Sequence, residues 1–386
     1  MIHTAMLTYD LPYSKKNILV FEKFIKQPGS EYHRQYKKWY NQTYRDQGIR
    51  VIAYQLDRPG YKGIVFKCRI NFKRLIEQED KVSIYEEADK DQMIQRFNEI
   101  MKALNLNTWN TWKANRIDYC INVRTPYVKE YIKLMQKGDI PYHQRVAYDK
   151  ETRNKGHKPG SLYLPAKARD KRKRKTGSQT INFYDKYDQK MKEGATGEEL
   201  EQAWNVLRLE VQCLYPKLRY IKKKNMLPDM QIERFLSEEI CADVLETAVK
   251  GICHMGDYYR RSEALKIIDQ SRYHEKTKNV LKMILNEVSK QYQSIAKVRE
   301  QFIEDGMSRD QFRLFMNRFD ELGINAVTIS DNKHLDQKSL KEGLPGIYEL
   351  FIDALTDSLS VEDSDSLVDD LKETEPDFTM DLIDCR

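Results

Sequence analysis

Polar and apolar residues alternate along three segments of the chain, and a period of two is the mark of a half-buried β-strand. One of these segments runs from Thr180 to Gln189. If it is extended, its side chains divide between a polar face, with Asn182, Tyr184 and Lys186, and a mostly apolar face, with Ile181, Phe183 and Tyr187. The pattern predicts a phenol beside a cation on the polar face of a sheet.

Two further segments have the same design. Residues 116–123 place Arg116, Asp118 and Asn122 on one side, and residues 207–213 place Arg208, Glu210 and Gln212 on one side. The opposite faces of both segments are apolar. Three such strands side by side would form a polar floor over an apolar underside, carrying a tyrosine, a lysine, two carboxylates and two arginines.

The rest of the pattern predicts an α+β fold. Residues 2–9, 50–56 and 62–72 have the composition of strands, whereas residues 90–104 carry the apolar stripe of a helix. Ser30 predicts the N-cap of another helix, whose aromatic residues are interleaved with lysine and arginine. Those aromatic residues either pack in the core or stack single-stranded bases. From about residue 229 to about residue 322 the pattern is helical.

A chain of 386 residues is long enough for two domains and a tail. We expect an antiparallel-sheet domain of the ferredoxin-like kind over residues 1–225, with a basic loop at 150–179. An all-α domain over residues 226–330 follows, and then an extension over residues 331–386 that ends in an acidic, flexible tail.

The charge of the chain is unevenly distributed. The formal net charge is +7, yet from Thr356 onward eleven acidic residues face only Lys372 and Arg386. The preceding body is therefore strongly basic, which indicates a partner with a phosphate backbone. One hypothesis is that the acidic tail competes with DNA for this basic body.

Composition excludes several classes of protein. The apolar runs are short and broken by charges, and the first residues lack the pattern of a secretory leader, so we expect a cytoplasmic protein without membrane contact. The six cysteines form no Cys-x-x-Cys pair and predict reduced core thiols rather than a zinc site. Because the seven histidines are scattered, a metal site would be rich in oxygen ligands and suited to Mg²⁺ or Mn²⁺.

Basic residues cluster around the tyrosine segment. A run of five cations precedes it, and a second patch follows the third strand; with the strand arginines, the expected DNA-binding residues are Arg116, Arg208, Lys171, Arg172, Lys173, Arg174, Lys175, Lys222 and Lys223. A charge run is equally typical of a solvated loop.

The polar floor has the residue types that phosphoryl transfer requires. Tyr184 is a candidate nucleophile, and Lys186 would favour its phenolate and neutralise a phosphate. Asp118 and Glu210 would hold a divalent ion that polarises the scissile phosphate. The product would be a 5′-phosphotyrosyl protein and a free 3′ hydroxyl.

Alternatives to these roles remain open. Tyr163 lies in a comparable strand and is a rival nucleophile, whereas Tyr187 should point to the other face. Arg-Ile-Asp and Arg-Leu-Glu are also the patterns of internal salt bridges.

The order of these segments resembles that of the filamentous-phage gene II replication proteins and related phage and plasmid rolling-circle initiators. The similar segments lie within about residues 1–225: Leu11-Pro12, Tyr61-Lys62-Gly63-Ile64-Val65-Phe66-Lys67, Arg116-Ile117-Asp118, Tyr184-x-Lys186, and Arg208-Leu209-Glu210 with the basic stretch after it. The resemblance implies a Rep-type nicking domain in which Tyr184 is the nucleophile and Lys186 supports it. It also implies that one strand is cut at an origin, held covalently and later rejoined.

The chain departs from the wider superfamily because it has no metal-binding histidine pair. The third metal ligand is therefore open between Gln212, Asn122 and water. We expect a metal-dependent rolling-circle replication initiator that acts on single-stranded or supercoiled origin DNA, with a host helicase as partner. The alternatives are a non-catalytic origin-binding or regulatory protein and an RNA-binding protein.

Overall fold

The computed structural model describes residues 1–77, 84–85, 89–140, 161–166, 178–290, 292–329 and 343–360. Within these ranges the chain forms the expected α+β fold with an antiparallel sheet, and that sheet has nine strands. The strands are β1 Ile2–Pro12, β2 Ser30–His33, β3 Lys38–Asn41, β4 Ile49–Arg58, β5 Tyr61–Asn71, β6 Lys113–Arg124, β7 Ser161–Leu164, β8 Gln179–Asp185 and β9 Val206–Leu214.

The strands lie in the order β2-β3-β4-β5-β1-β6-β9-β8-β7, and every neighbouring pair is antiparallel. Strand β6 therefore lies between the opening strand and β9, and β8 lies on the far side of β9. This order puts the three segments of the expected polar floor side by side. Gly60 turns β4 into β5 with φ of 79°, a conformation in which glycine avoids the strain of a side chain.

The helix expected from Ser30 is wrong, because β2 and β3 form a hairpin there. Tyr32 and Trp39 are direct cross-strand partners with ring centroids 5.2 Å apart. Aromatic residues favour strands when such pairs form, and this pairing overrides the weak N-cap signal of one serine.

Helices pack against the sheet. The longer connections and the C-terminal half supply them: α1 Lys15–Ile25, α2 Phe72–Glu77, α3 Lys90–Ala103, α4 Val128–Met135, α5 Lys186–Glu193, α6 Glu198–Ala203, α7 Tyr215–Lys224, α8 Glu238–Cys253, α9 Arg261–Gln270, α10 Glu275–Ser289, α11 Ile295–Glu304, α12 Arg309–Glu321 and α13 Ile347–Ser360. Helices α8 and α13 pack on each other and on β6. One continuous cluster of buried apolar residues joins the sheet to these helices.

The C-terminal extension is more structured than the sequence suggested. Helix α13 buries Ile347, Phe351 and Leu355 in the main core, and Phe351 lies edge-on to Phe183 of β8. The underside of the candidate polar floor is thus partly supplied by this helix. The acidic residues after 360, and most of the basic loop at 150–179, lie outside the described residues.

No helix in the described ranges is long and apolar enough to span a bilayer. The five cysteines in those ranges, all unpaired, are buried in the protein: Cys68, Cys120, Cys213, Cys241 and Cys253.

Candidate active site on the polar face of the sheet

The cross-strand register confirms that the polar residues of β6, β9 and β8 share one face. Glu210 is opposite Cys120 on one side and Asn182 on the other. Arg208 is likewise opposite Asn122 and Tyr184. Residues directly opposite in an antiparallel pair point to the same side of the sheet. The alternation of polar and apolar residues was sufficient to predict this arrangement.

Tyr184 and Arg208 form the buried end of the face. Tyr184 is 7 % exposed and Arg208 is fully buried. The Tyr184 hydroxyl donates a hydrogen bond to Oε2 of Glu210 at 3.3 Å, and Nε of Arg208 donates to Oδ1 of Asn122 at 2.7 Å. Burial raises the pKa of the Tyr184 phenol well above its ordinary value, and the nearby Arg208 offsets only part of this effect. Tyr184 is therefore held as a neutral hydrogen-bond donor.

Helices α5 and α6 close this end of the sheet from above. Val206, two residues before Arg208 in β9, packs with Ala203 and Tyr187 in a small cluster that is separate from the main core. The Tyr187 ring also lies edge-on to Trp204, with centroids 4.9 Å apart. Water therefore has little access to Arg208 and Tyr184.

Glu210 lies at the centre of the face and has a partner that the sequence did not suggest. His3 Nδ1 lies 3.4 Å from Glu210 Oε2. Burial alone would raise the pKa of Glu210, but the close approach of His3, together with the charge of Arg208, outweighs this effect, so the net pKa is lowered. Glu210 is held as a carboxylate between a phenol and an imidazole.

A β-bulge explains how His3 reaches this position. Ile2 pairs with Tyr119 whereas Thr4 pairs with Asp118, so two steps along β1 correspond to one step along β6. His3 is the extra residue, and a bulge redirects the side chain that it carries. The small Cys120, whose backbone N–H bonds to the Met1 carbonyl, lies on β6 between His3 and Glu210.

Asp118 is almost completely buried at 2 % exposure. Its Oδ2 accepts hydrogen bonds from the hydroxyl of Thr4 and from Nη2 of Arg116, the latter at 2.8 Å. Its Oδ1 is buried without a hydrogen-bond partner among the described residues. Burial raises the pKa of Asp118, Arg116 opposes this, and the Glu210 charge adds to it. An unsatisfied buried carboxylate oxygen next to a second carboxylate would gain from a cation.

The structure corrects the expected position of Lys186. Strand β8 ends at Asp185, whose side chain accepts hydrogen bonds from the backbone of Tyr187 and Asp188 at 3.0 and 3.2 Å and so caps helix α5. Lys186 is consequently the first residue of the helix rather than a third member of the strand face. Its Nζ is 6.0 Å from the centroid of the Tyr184 ring and donates to Gln189 at 2.9 Å. Tyr187, expected on the opposite face of a strand, is also in the helix.

Tyr163 lies on the same polar face, near its open edge. It is the cross-strand partner of Asn182, and Ser161 of the same strand is the partner of Tyr184. The Tyr163 side chain is 41 % exposed. Its phenol is therefore accessible to a macromolecular substrate, whereas that of Tyr184 is covered.

The donors around Glu210 suit a hard divalent cation in their chemistry. They are the unpartnered Oδ1 of Asp118, the equally unpartnered and buried Oδ1 of Asn182, the Glu210 carboxylate and the His3 imidazole. In the described part of the chain no three His, Cys, Asp or Glu side chains are already gathered into a metal cluster. Of the amides expected as a third ligand, Asn122 is engaged by Arg208, and Gln212 is opposite Asp118. Asn182, which is opposite Glu210, was not among the ligands expected from the sequence.

The expected DNA-binding cations are not equally placed. Arg116 is bound to Asp118 and Arg208 is buried, so both act within the floor. Residues 171–175 lie outside the described residues. Lys222 and Lys223 lie in helix α7, which packs on β6 and β9 through Leu218 and Ile221.

Neither a protein-family model, nor a curated protein, nor a solved structure matches the chain. The resemblance of the sequence motifs to the gene II replication proteins thus stays a prediction. The function is therefore inferred from the residues on the polar face.

Proposed function

We propose that the chain is a metal-dependent DNA strand transferase of the rolling-circle initiator type, which cuts one strand through a tyrosine and rejoins it. The observation that carries this proposal is the series Tyr184, Glu210 and His3 beside the buried, half-satisfied carboxylate of Asp118. Two carboxylates, an imidazole and an exposed tyrosine on one face of a sheet are the groups that phosphoryl transfer needs. The basic charge of the body suits a DNA substrate.

The exposed Tyr163 is the better nucleophile of the two candidates. Each unit by which a phenol pKa is raised adds about 1.36 kcal/mol to the cost of forming the phenolate. Tyr184 bears such a cost because of its burial, and at 7 % exposure its side chain is nearly closed to a DNA phosphate. Tyr163, at 41 % exposure, has no comparable covering among the described residues.

In this proposal Tyr184 and Lys186 support the site instead of attacking the DNA. The Tyr184 hydroxyl fixes one oxygen of Glu210, and Arg208 holds Asn122 and the surrounding charge. Lys186 adds a positive charge near the Tyr184 ring. Together they orient Glu210 toward the open part of the floor.

The transfer step exchanges one phosphodiester bond of the DNA for a bond between phosphorus and the tyrosine. The Tyr163 oxygen forms a bond to the scissile phosphorus while the bond from phosphorus to the 3′ oxygen breaks. The phenolic proton passes to bulk water because Tyr163 is exposed, and the leaving 3′ oxygen takes up a proton to give a free hydroxyl. A Mg²⁺ or Mn²⁺ ion, if held by the carboxylates of Asp118 and Glu210, would supply positive charge to the scissile phosphate.

Nicking of supercoiled DNA that contains the encoding element tests the proposal. With manganese or magnesium we expect relaxed circles, which chelation or the substitution Glu210→Gln should abolish. Glu201→Gln, at an exposed position in α6, is the matched control and should cut as well as the unmodified protein. Nicking that ignores both chelation and Glu210 would refute the metal site. Tight, specific binding without nicking would favour a non-catalytic origin-binding protein.

A further inference from the structure

A row of arginines begins beside the candidate site and runs across the sheet from β6 to β4. Arg116 of β6 is opposite Met6 of β1, Met6 is opposite Arg69 of β5, and Arg69 is opposite Arg50 of β4. All four side chains therefore point to the polar face. With strands about 4.8 Å apart, the row spans about 14 Å. It begins at Asp118, to which Arg116 is bound, and we call it the arginine row.

Two of the three arginines in the arginine row, Arg50 and Arg69, carry charge that no carboxylate of the described residues neutralises. Arg50 and Arg69 are directly opposite each other, and like charges in such a pair destabilise a sheet. Among the described residues neither forms an ion pair with a carboxylate, and Nε of Arg50 is buried without an acceptor. Anions on this face would remove the repulsion and satisfy the buried donor.

A second row of cations runs parallel to the first. Lys67 is opposite Thr8, and Thr8 is opposite Lys113. Burial lowers the pKa of Lys67, and the charge of Lys38 lowers it further. Outside the candidate site the carboxylates that the register puts on this face are Asp10 and Glu31, so positive charge is in excess.

Aromatic rings continue the surface at the outer edge of the sheet. Rings of Tyr36, His33 and Tyr40 follow one another, with centroids 4.7 and 5.9 Å apart. The Arg50 guanidinium lies 4.8 Å above the Tyr40 ring. Tyr36 is 55 % exposed. Stacking on such rings requires open base faces, which a duplex does not present, so rings and cations on one surface favour a single strand.

We propose that the arginine row and these rings bind a segment of single-stranded DNA and lead it across the sheet to the candidate site. That the bound DNA is the strand to be cut rests on the proposed function, whereas the binding of single-stranded DNA to this surface does not. The surface would hold DNA that flanks the scissile phosphate, at a distance from the reacting atoms.

The double variant Arg50→Gln/Arg69→Gln tests the arginine row. Its affinity for a fluorescent oligothymidylate, longer than the ~16-nucleotide upper end of such sites, is measured by polarisation with EDTA at several salt concentrations. We expect about tenfold or greater loss of affinity, and a salt slope that is shallower by about 0.7 for each phosphate contact removed. Tyr36→Ala should weaken binding roughly fivefold or more.

Arg309→Gln/Arg313→Gln removes the same charge from exposed positions of helix α12 and is the control. Equal effects of the two double variants would overturn the proposal, as would tighter binding of a duplex or of oligouridylate than of the DNA strand. Circular dichroism of the row variant shows whether it keeps its fold.

The two proposals fail separately. If the unmodified protein never nicks DNA but loses single-strand binding in the row variant, the proposed function is wrong and the binding surface stands. If it nicks its DNA while the row variant binds and cuts normally, the binding surface is wrong and the nicking chemistry stands.

Discussion

Replacing Arg208 by methionine tests whether the polar face is a preorganised network. Methionine has a similar length and no charge, so the change removes the guanidinium while largely filling its space. Arg208 is fully buried and donates to Asn122 at 2.7 Å. Its charge also favours the ionised form of the buried Glu210, and removing one of two opposite charges that are buried close together costs about 3–5 kcal/mol. Because Glu210 keeps His3 as a partner, we expect about 3 kcal/mol, near the lower end of that range.

Urea unfolding followed by circular dichroism measures this loss, with Arg219→Met, at an exposed position of helix α7, as the control. Glu210→Gln provides the second arm of a double-mutant cycle. Residues in one network couple by about 0.5–3 kcal/mol, so the double variant should lose less stability than the two single losses combined. A loss below about 1 kcal/mol for Arg208→Met, or strictly additive effects, would refute the network.

Three further changes follow from individual residues. Because burial raises the pKa of Asp118, the folded state binds a proton at this carboxyl group more tightly than the unfolded state does. The charge of Asp118 therefore opposes folding as the pH rises through the folded-state pKa. The variant Asp118→Asn should consequently unfold at a higher urea concentration than the unmodified protein near neutral pH, and at the same concentration in acid. Tyr184→Phe should cost about 1–3 kcal/mol because Glu210 loses a buried donor, whereas the exposed Tyr163→Phe should stay within about 0.5 kcal/mol, both measured by urea unfolding. Gly48→Ala should lower the melting temperature more than Gly60→Ala: both have positive φ, but only at Gly48 does a Cβ meet backbone, at 2.7 Å from the Asn71 oxygen.

The sequence was informative where structure depends on local periodicity. Strands β6, β8 and β9 alternate polar and apolar residues so regularly that the shared face of Asp118, Glu210 and Tyr184 could be predicted. Predicting that they share a face required only one further assumption, that the three strands lie side by side in the sheet.

Other features depend on pairing between distant segments or on a local signal that was given too little weight. The His3 bulge arises only when β1 pairs with β6, more than one hundred residues away, so no local pattern reveals it. The position of Lys186 had a visible signal: Asp185 is a good N-cap, and Gly194 ends the following helix with φ of 85°. The prediction from alternating polar and apolar residues alone continued strand β8 past Asp185, where the helix in fact begins.

The most direct test of the account is the chemical identity of any covalent DNA adduct. The protein is incubated with single-stranded DNA from its encoding element and manganese, digested, and the peptide linked to a 5′ phosphate is identified by mass spectrometry. The account predicts linkage to Tyr163, and loss of the adduct in Tyr163→Phe but not in Tyr184→Phe. An adduct on Tyr184 would contradict the choice of nucleophile. Cleavage without any adduct would contradict tyrosine-mediated strand transfer itself.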